Sequence, residues 1–162
     1  MWQDTITREM TNPRIAFKLL DKDSSIPVDH TKITCHLVFD VKLDLTHKAR
    51  YVAGGHLTNS PTSMTYSSVV SRDSVKIGFL TAAFNKVDIL AGCKQNEYLN
   101  AKTKERIYFI AGDEWKSNKD RIVVVVRALC GLKSSALQLR NHISDVVGNK
   151  LGFTSSLADP DV

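Results

Sequence analysis

The alternation from Ile33 to Leu43 limits what this chain can fold into more than any other feature. Ile33, Cys35, Leu37, Phe39, Val41 and Leu43 take one side of a period-two pattern, and Thr34, His36, Asp40 and Lys42 take the other. Successive side chains of an extended strand point to opposite faces, so the pattern predicts a strand with one apolar face. A short polar turn, Asp44 to His47, leads into a second strand candidate, Lys48 to Ala53, closed by Gly54-Gly55. Two strands joined so closely predict an antiparallel hairpin.

Around the hairpin the periodicity changes. Asn12 before Pro13 predicts a helix start, since proline at the first helical position gives up no bond; Ile15, Ala16, Leu19 and Leu20 then follow at helical spacing. Asp21 to Asp29 and His56 to Thr65 read as polar loops. Ser74 to Asn85 is apolar on more than one side, which predicts a buried helix. Short strands are predicted at Val87 to Ala91, Arg106 to Ile110 and Ile122 to Val126, the last a β-branched run of the kind covered on both faces. A final amphipathic helix carries Ala136, Leu139, Ile143, Val146 and Val147, with Ser134 or Ser135 as cap and Gly148-Asn149 as stop. Leu151 to Phe153 could begin one more strand. This order predicts a mixed α+β domain.

Composition narrows function only by exclusion. The chain has 162 residues, about one domain's worth, with 43% hydrophobic and 24% charged residues, which argues against general disorder. Its apolar runs, such as Ile122 to Val126, are far too short for a membrane span, and no secretory leader opens it, so an intracellular protein is expected. A net charge of +5 is a mild bias toward polyanions that a mixed-charge surface explains equally well. Cys35, Cys93 and Cys130 have no zinc spacing, and the five histidines form no H-E-x-x-H pair, so buried thiols and no metal site of that kind are expected.

Five blocks, in one order, carry more. Lys48-Ala-Arg-Tyr-Val-Ala-Gly-Gly55 resembles the "KARLVAKG" block of copia-type retrotransposon reverse transcriptases, and Tyr66-Ser-Ser-Val-Val70 resembles that family's "FSPVV". Cys93-Lys-Gln-Asn-Glu-Tyr-Leu99 falls where the family has its metal motif "D-V-x-x-A-F/Y-L", and Glu105-Arg-Ile-Tyr108 is similar to the "E-x-V-Y" after it. Ala128-Leu-Cys-Gly-Leu-Lys133 is similar to "x-L-Y-G-L-K". The resemblance implies the fingers and first part of the palm of a right-hand polymerase. It implies a fingers-like hairpin over about 32–56 and a palm-like part over about 66–162, ending before the Tyr-x-Asp-Asp hairpin.

What the resemblance implies for chemistry is specific. RNA-directed DNA polymerisation is an in-line phosphoryl transfer clamped by two divalent ions. Mg²⁺ takes oxygen ligands, and the family supplies one aspartate at the position that is Cys93 here and two more from Tyr-x-Asp-Asp. A thiol is a soft ligand, suited to zinc or Cu(I) rather than Mg²⁺. No Asp-Asp pair occurs in the 162 residues. No intact catalytic or metal residue is therefore expected, no cofactor is expected for this piece (Mg²⁺ in the intact family), and the piece alone is expected to be inactive.

Other roles carry over by position. Lys48 and Arg50 would face the incoming triphosphate, where cations suit phosphate oxygens and Arg gives two-point contact; taken alone, two exposed strand charges explain them as well. Tyr98 would lie under the deoxynucleotide sugar, with Glu97 replacing a small neighbour. Gly131 and Lys133 would form the template-and-nucleotide turn, with Cys130 replacing a tyrosine. The implied partners are RNA template, DNA primer and deoxynucleotides, with no membrane; loss of the palm hairpin would leave an exposed edge open to association. The alternatives are a non-catalytic nucleic-acid-binding remnant of a transposon and a decaying reading frame without a biochemical role.

Overall fold

The structure, a computed structural model, describes residues 2–58, 65–92 and 96–161. Its elements in chain order are α1 (Trp2–Thr11), β1 (Phe17–Leu19), β2 (Thr31–Lys32), β3 (Cys35–Val41), β4 (His47–Ala53), α2 (Arg72–Asn85), β5 (Ile107–Ile110), β6 (Ile122–Val125) and α3 (Ser135–Asp145). Among the described residues this is a mixed α+β architecture. One four-stranded sheet has the order β1-β6-β5-β2, antiparallel except for the parallel pair β2–β5, and β3–β4 form a separate two-stranded sheet. No helix in it is long and apolar enough to cross a membrane.

The hairpin forms as its alternation predicts, with Leu37 opposite Tyr51 and Phe39 opposite Ala49. The predicted strand is nevertheless split. Thr31–Lys32 joins β5, and Ile33 extends that alignment by donating its N–H to the Tyr108 carbonyl at 2.9 Å; the chain then crosses to begin β3 at Cys35. In β4, Ala49, Tyr51 and Ala53 are buried, which sends Lys48, Arg50 and Val52 to the opposite face.

Three sequence expectations fail, because tertiary pairing rather than local preference decides which segments extend. No α-helix follows Pro13: α1 precedes it, a short 3₁₀ helix over Asn12–Ala16 holds Pro13 in its first turn, and Phe17–Leu19 is a strand paired with Val123–Val125. The Val126 N–H donates to the Ala16 carbonyl at 2.7 Å, so β6 recruits this segment. Val87 to Ala91 and Leu151 to Phe153 pair with no strand among the described residues; the N–H groups of Leu151, Gly152 and Phe153 bond back to the Val146, Gly148 and Val147 carbonyls respectively.

The remaining differences concern burial and helix ends. α2 is apolar but not buried: Ile77, Phe79, Leu80 and Phe84 are each more than half exposed, and only Ala82 is buried. In β6, Val123 and Val125 are buried while Ile122 and Val124 are half-buried, so one face is fully covered and the other only in part. Gly148-Asn149 does not stop the last helix, which widens into a π-helical turn over Val146–Lys150. Ser134 precedes α3 without capping it through its side chain. The His56 to Thr65 loop begins with a 3₁₀ turn over Gly55–Leu57, and residues 59–64 lie outside the described ones.

The core joins the two sheets. Phe17, Tyr51, Phe109 and Trp115 meet with ring centroids 5.4 to 6.4 Å apart, most of them edge-on, the arrangement favoured by aromatic quadrupoles. The Tyr51 hydroxyl donates to Glu114 Oε1 at 2.9 Å and accepts from Trp115 Nε1 at 3.0 Å, and burial pushes its pKa up, so the phenol stays protonated. α1 closes the outer edge of β4: Glu9 Oε1 accepts the Tyr51 N–H at 2.8 Å, and Trp2 packs edge-on against Phe39 and His47.

Candidate functional site

Two of the sequence blocks meet at the end of β4. Antiparallel pairing leaves the Ala53 N–H on the outer edge, and it donates to the Cys130 carbonyl at 2.8 Å. Gly131 follows with φ 95°, a conformation that L side chains rarely adopt. A Cβ there would strike the Ala53 carbonyl oxygen and lie 2.8 Å from Val52 Cγ1; a Cβ on Gly55 would strike the Gly131 carbonyl oxygen. Glycine at both positions lets the two backbones touch. Lys133 Nζ donates to the Thr58 carbonyl at 2.6 Å, and Thr58 Oγ1 donates to the Gly55 carbonyl at 2.8 Å. An ammonium has three donors, and Lys133 uses one of them to tie down the segment after Gly55.

A third block fixes the turn from below. Glu105 Oε1 accepts from the Ser134 N–H at 3.1 Å and the Ser134 hydroxyl at 2.6 Å, placing a carboxylate at the start of α3 where the helix dipole favours it. Its other oxygen is buried with no hydrogen-bond partner among the described residues. Ser135 Oγ donates to the Leu129 carbonyl at 2.7 Å and accepts the Leu129 N–H at 3.0 Å. Sequence reasoning quoted Glu105 but gave it no role. The available signal was a serine beside a predicted helix start, which calls for a polar partner without naming it.

Lys48 and Arg50 stand on the β4 face that carries Val52, against which Gly131 packs. Lys48 is half-buried and Arg50 exposed, opposite Asp40 and Val38 respectively, and neither joins an ion pair among the described residues. A cationic strand face thus runs toward a glycine-walled turn, an arrangement that can receive phosphate oxygens.

Tyr98 lies elsewhere. It sits half-buried in the 3₁₀ turn Glu97–Asn100 and, with exposed Glu97, lines a cleft of about 580 Å³ walled by Leu139, Arg140, Ile143 and Val147 of α3 and its extension. Lys48, Arg50, Gly131 and Lys133 do not line that cleft. Cys93 lies outside the described residues, so the expectation for it rests on its chemistry. The Mg²⁺ pair that the resemblance implies would meet a soft thiol at Cys93, and the sequence holds no Asp-Asp. Among the described residues no group of three His, Cys, Asp or Glu side chains is placed to hold a metal ion.

Cys35 faces the core side of β3 and is half-buried. Burial, aided by the nearby Glu114 carboxylate, pushes its thiol up to about 12. The thiolate is the reactive form. Cys35 is therefore expected to resist a thiol-specific reagent at pH 9, where an ordinary cysteine is largely ionised, and to react at once in denaturant. Mass mapping of the labelled peptide checks this, and fast labelling of Cys35 in the folded chain would contradict it.

Comparison of the chain with protein-family models, with curated proteins and with solved structures finds no match.

Proposed function

We propose that this chain is a fingers-and-partial-palm piece of a copia-type reverse transcriptase, an RNA-directed DNA polymerase, that does not synthesise DNA by itself. The observation that carries the reading is the meeting of the 48–55 and 128–133 blocks through Gly55 and Gly131. Two segments named from sequence likeness alone turn out to share one surface, with Lys48 and Arg50 on the face that leads to it. Charge supports the same reading, since both cations are free of ion pairs among the described residues and suit a phosphate backbone. That feature equally favours the second reading, a nucleic-acid-binding remnant without catalysis.

The test has two arms. Deoxynucleotide incorporation on a primed RNA template, with Mg²⁺ or Mn²⁺, is expected to be absent; clear incorporation by this chain would overturn the inactivity. Binding to an RNA–DNA duplex is expected to weaken steeply with salt, because each phosphate contact releases counterions. Replacing Lys48 and Arg50 together by alanine should lower the slope of log affinity against log salt by roughly two. Salt-insensitive binding, or none, would remove both readings.

A further inference from the structure

α2 is held in place by something other than its own packing. Val75, Ile77, Phe79, Leu80 and Phe84 are all exposed, so burial does little to fix the helix against the body. Its N-terminus is held firmly instead. Ser71 caps it, accepting the Ser74 N–H at 3.0 Å, and Asp159 Oδ2 accepts from the Ser71 N–H at 3.0 Å and from the Ser74 hydroxyl at 2.5 Å. The other oxygen of Asp159 accepts the Asp161 N–H at 3.1 Å. This aims Asp161 at α3, where its Oδ1 accepts from Arg140 Nε at 2.7 Å in an ion pair whose side chains are only 14% and 33% exposed. Proline between the two aspartates restricts the backbone that spaces them.

Residues 151–158, which lead from the last helix to this point, are exposed throughout. The segment is thus a strap fastened at its far end by two carboxylates, one on each helix. Ser74 first, then the Ser71 and Asp161 backbones, hold the Asp159 carboxyl below the usual carboxylate range; Ser68 and Arg140 do the same for Asp161. Both are charged at neutral pH. The strap also forms one side of the cleft, with Phe153 and Asp161 facing Leu139, Ile143 and Val147.

We propose that Asp159-Pro160-Asp161 is a latch that docks α2 onto α3 and keeps the cleft closed on that side. Undoing either aspartate frees α2 as a unit and opens the apolar stripe of α3, while the sheets stay folded. A simple helix cap would behave differently, because the side-chain bond of Asp161 goes to Arg140 of α3 and not to α2 among the described residues.

Hydrogen exchange on the full chain tests this with Asp159→Ala, Asp161→Ala and Ser74→Glu, the last placing a like charge against Asp159 with the strap intact. Amides of residues 72–85 are expected to exchange at least about tenfold faster in all three, while those of β5 and β6 keep their protection, as the least stable unit opens alone. Unchanged α2 exchange in Asp161→Ala would overturn the latch and leave only a cap. Equal acceleration of β5 and β6, or an α2 already unprotected in the unaltered chain, would overturn it too.

Discussion

Phe109→Ala is expected to cost about 3–5 kcal/mol of stability, the range for truncating a buried aromatic. Phe109 is 1% exposed in β5, and its ring meets Phe17 of β1, Tyr51 of the hairpin and Trp115. Those three neighbours come from three elements, each anchored by its own hydrogen bonds, so the site has little freedom to collapse into the space. A domain is stable by only about 5–15 kcal/mol, and the loss would show as a fall in urea midpoint of roughly 2 M. Phe84→Ala makes the control: Phe84 is 78% exposed on α2, and its removal should change stability by no more than about 0.5 kcal/mol. Equal effects from the two would mean that α2 is buried after all, as its composition alone predicts.

That contrast marks where the sequence stops being informative. The hairpin was legible because a period of two from Ile33 to Leu43 marks an extended strand, although only its start is covered and Phe39, Val41 and Leu43 are exposed. β5, β6 and α3 were legible for similar reasons, each having a pattern longer than its boundary error. β1 was not, because Phe17-Lys-Leu19 is too short to show a period and its partner β6 lies over a hundred residues away. α1 has a readable trace in the sequence, Trp2, Ile6 and Met10 at four-residue spacing; Trp2 packs on Phe39 and His47, and Met10 on the core. The exposure of α2 could not be read at all, since an apolar helix facing solvent and one facing a core have the same letters.

The candidate site divides in the same way. The 48–55 and 128–133 blocks were found by likeness, yet nothing local says that Gly55 and Gly131 approach each other. Such a contact depends on the whole path between them. Glu105 under Ser134 and the two-aspartate strap are of the same kind, polar bonds between residues remote in sequence.

Gly131→Ala is expected to be the most damaging single-methyl change in the chain, at about 3 kcal/mol or more. Two costs add. Forcing an L side chain into positive φ costs roughly 1–2 kcal/mol. The new Cβ then collides with the Ala53 carbonyl oxygen, a backbone atom held inside a paired strand, which cannot swing aside as a side-chain tip would. Relief requires the turn to lift off β4, breaking the bond from Ala53 N–H to the Cys130 carbonyl, worth about another 1 kcal/mol net, and loosening the Lys133 tie to Thr58. Gly78→Ala separates this from a general intolerance of methyl groups. Gly78 sits in α2 with open space around its Cβ position, so alanine there should stabilise by about 0.5–1 kcal/mol through helix propensity. Opposite signs in urea unfolding are the expected result. A Gly131→Ala chain within about 0.5 kcal/mol of the parent would mean that the turn does not rest on β4, and the shared surface that supports a polymerase origin would go with it.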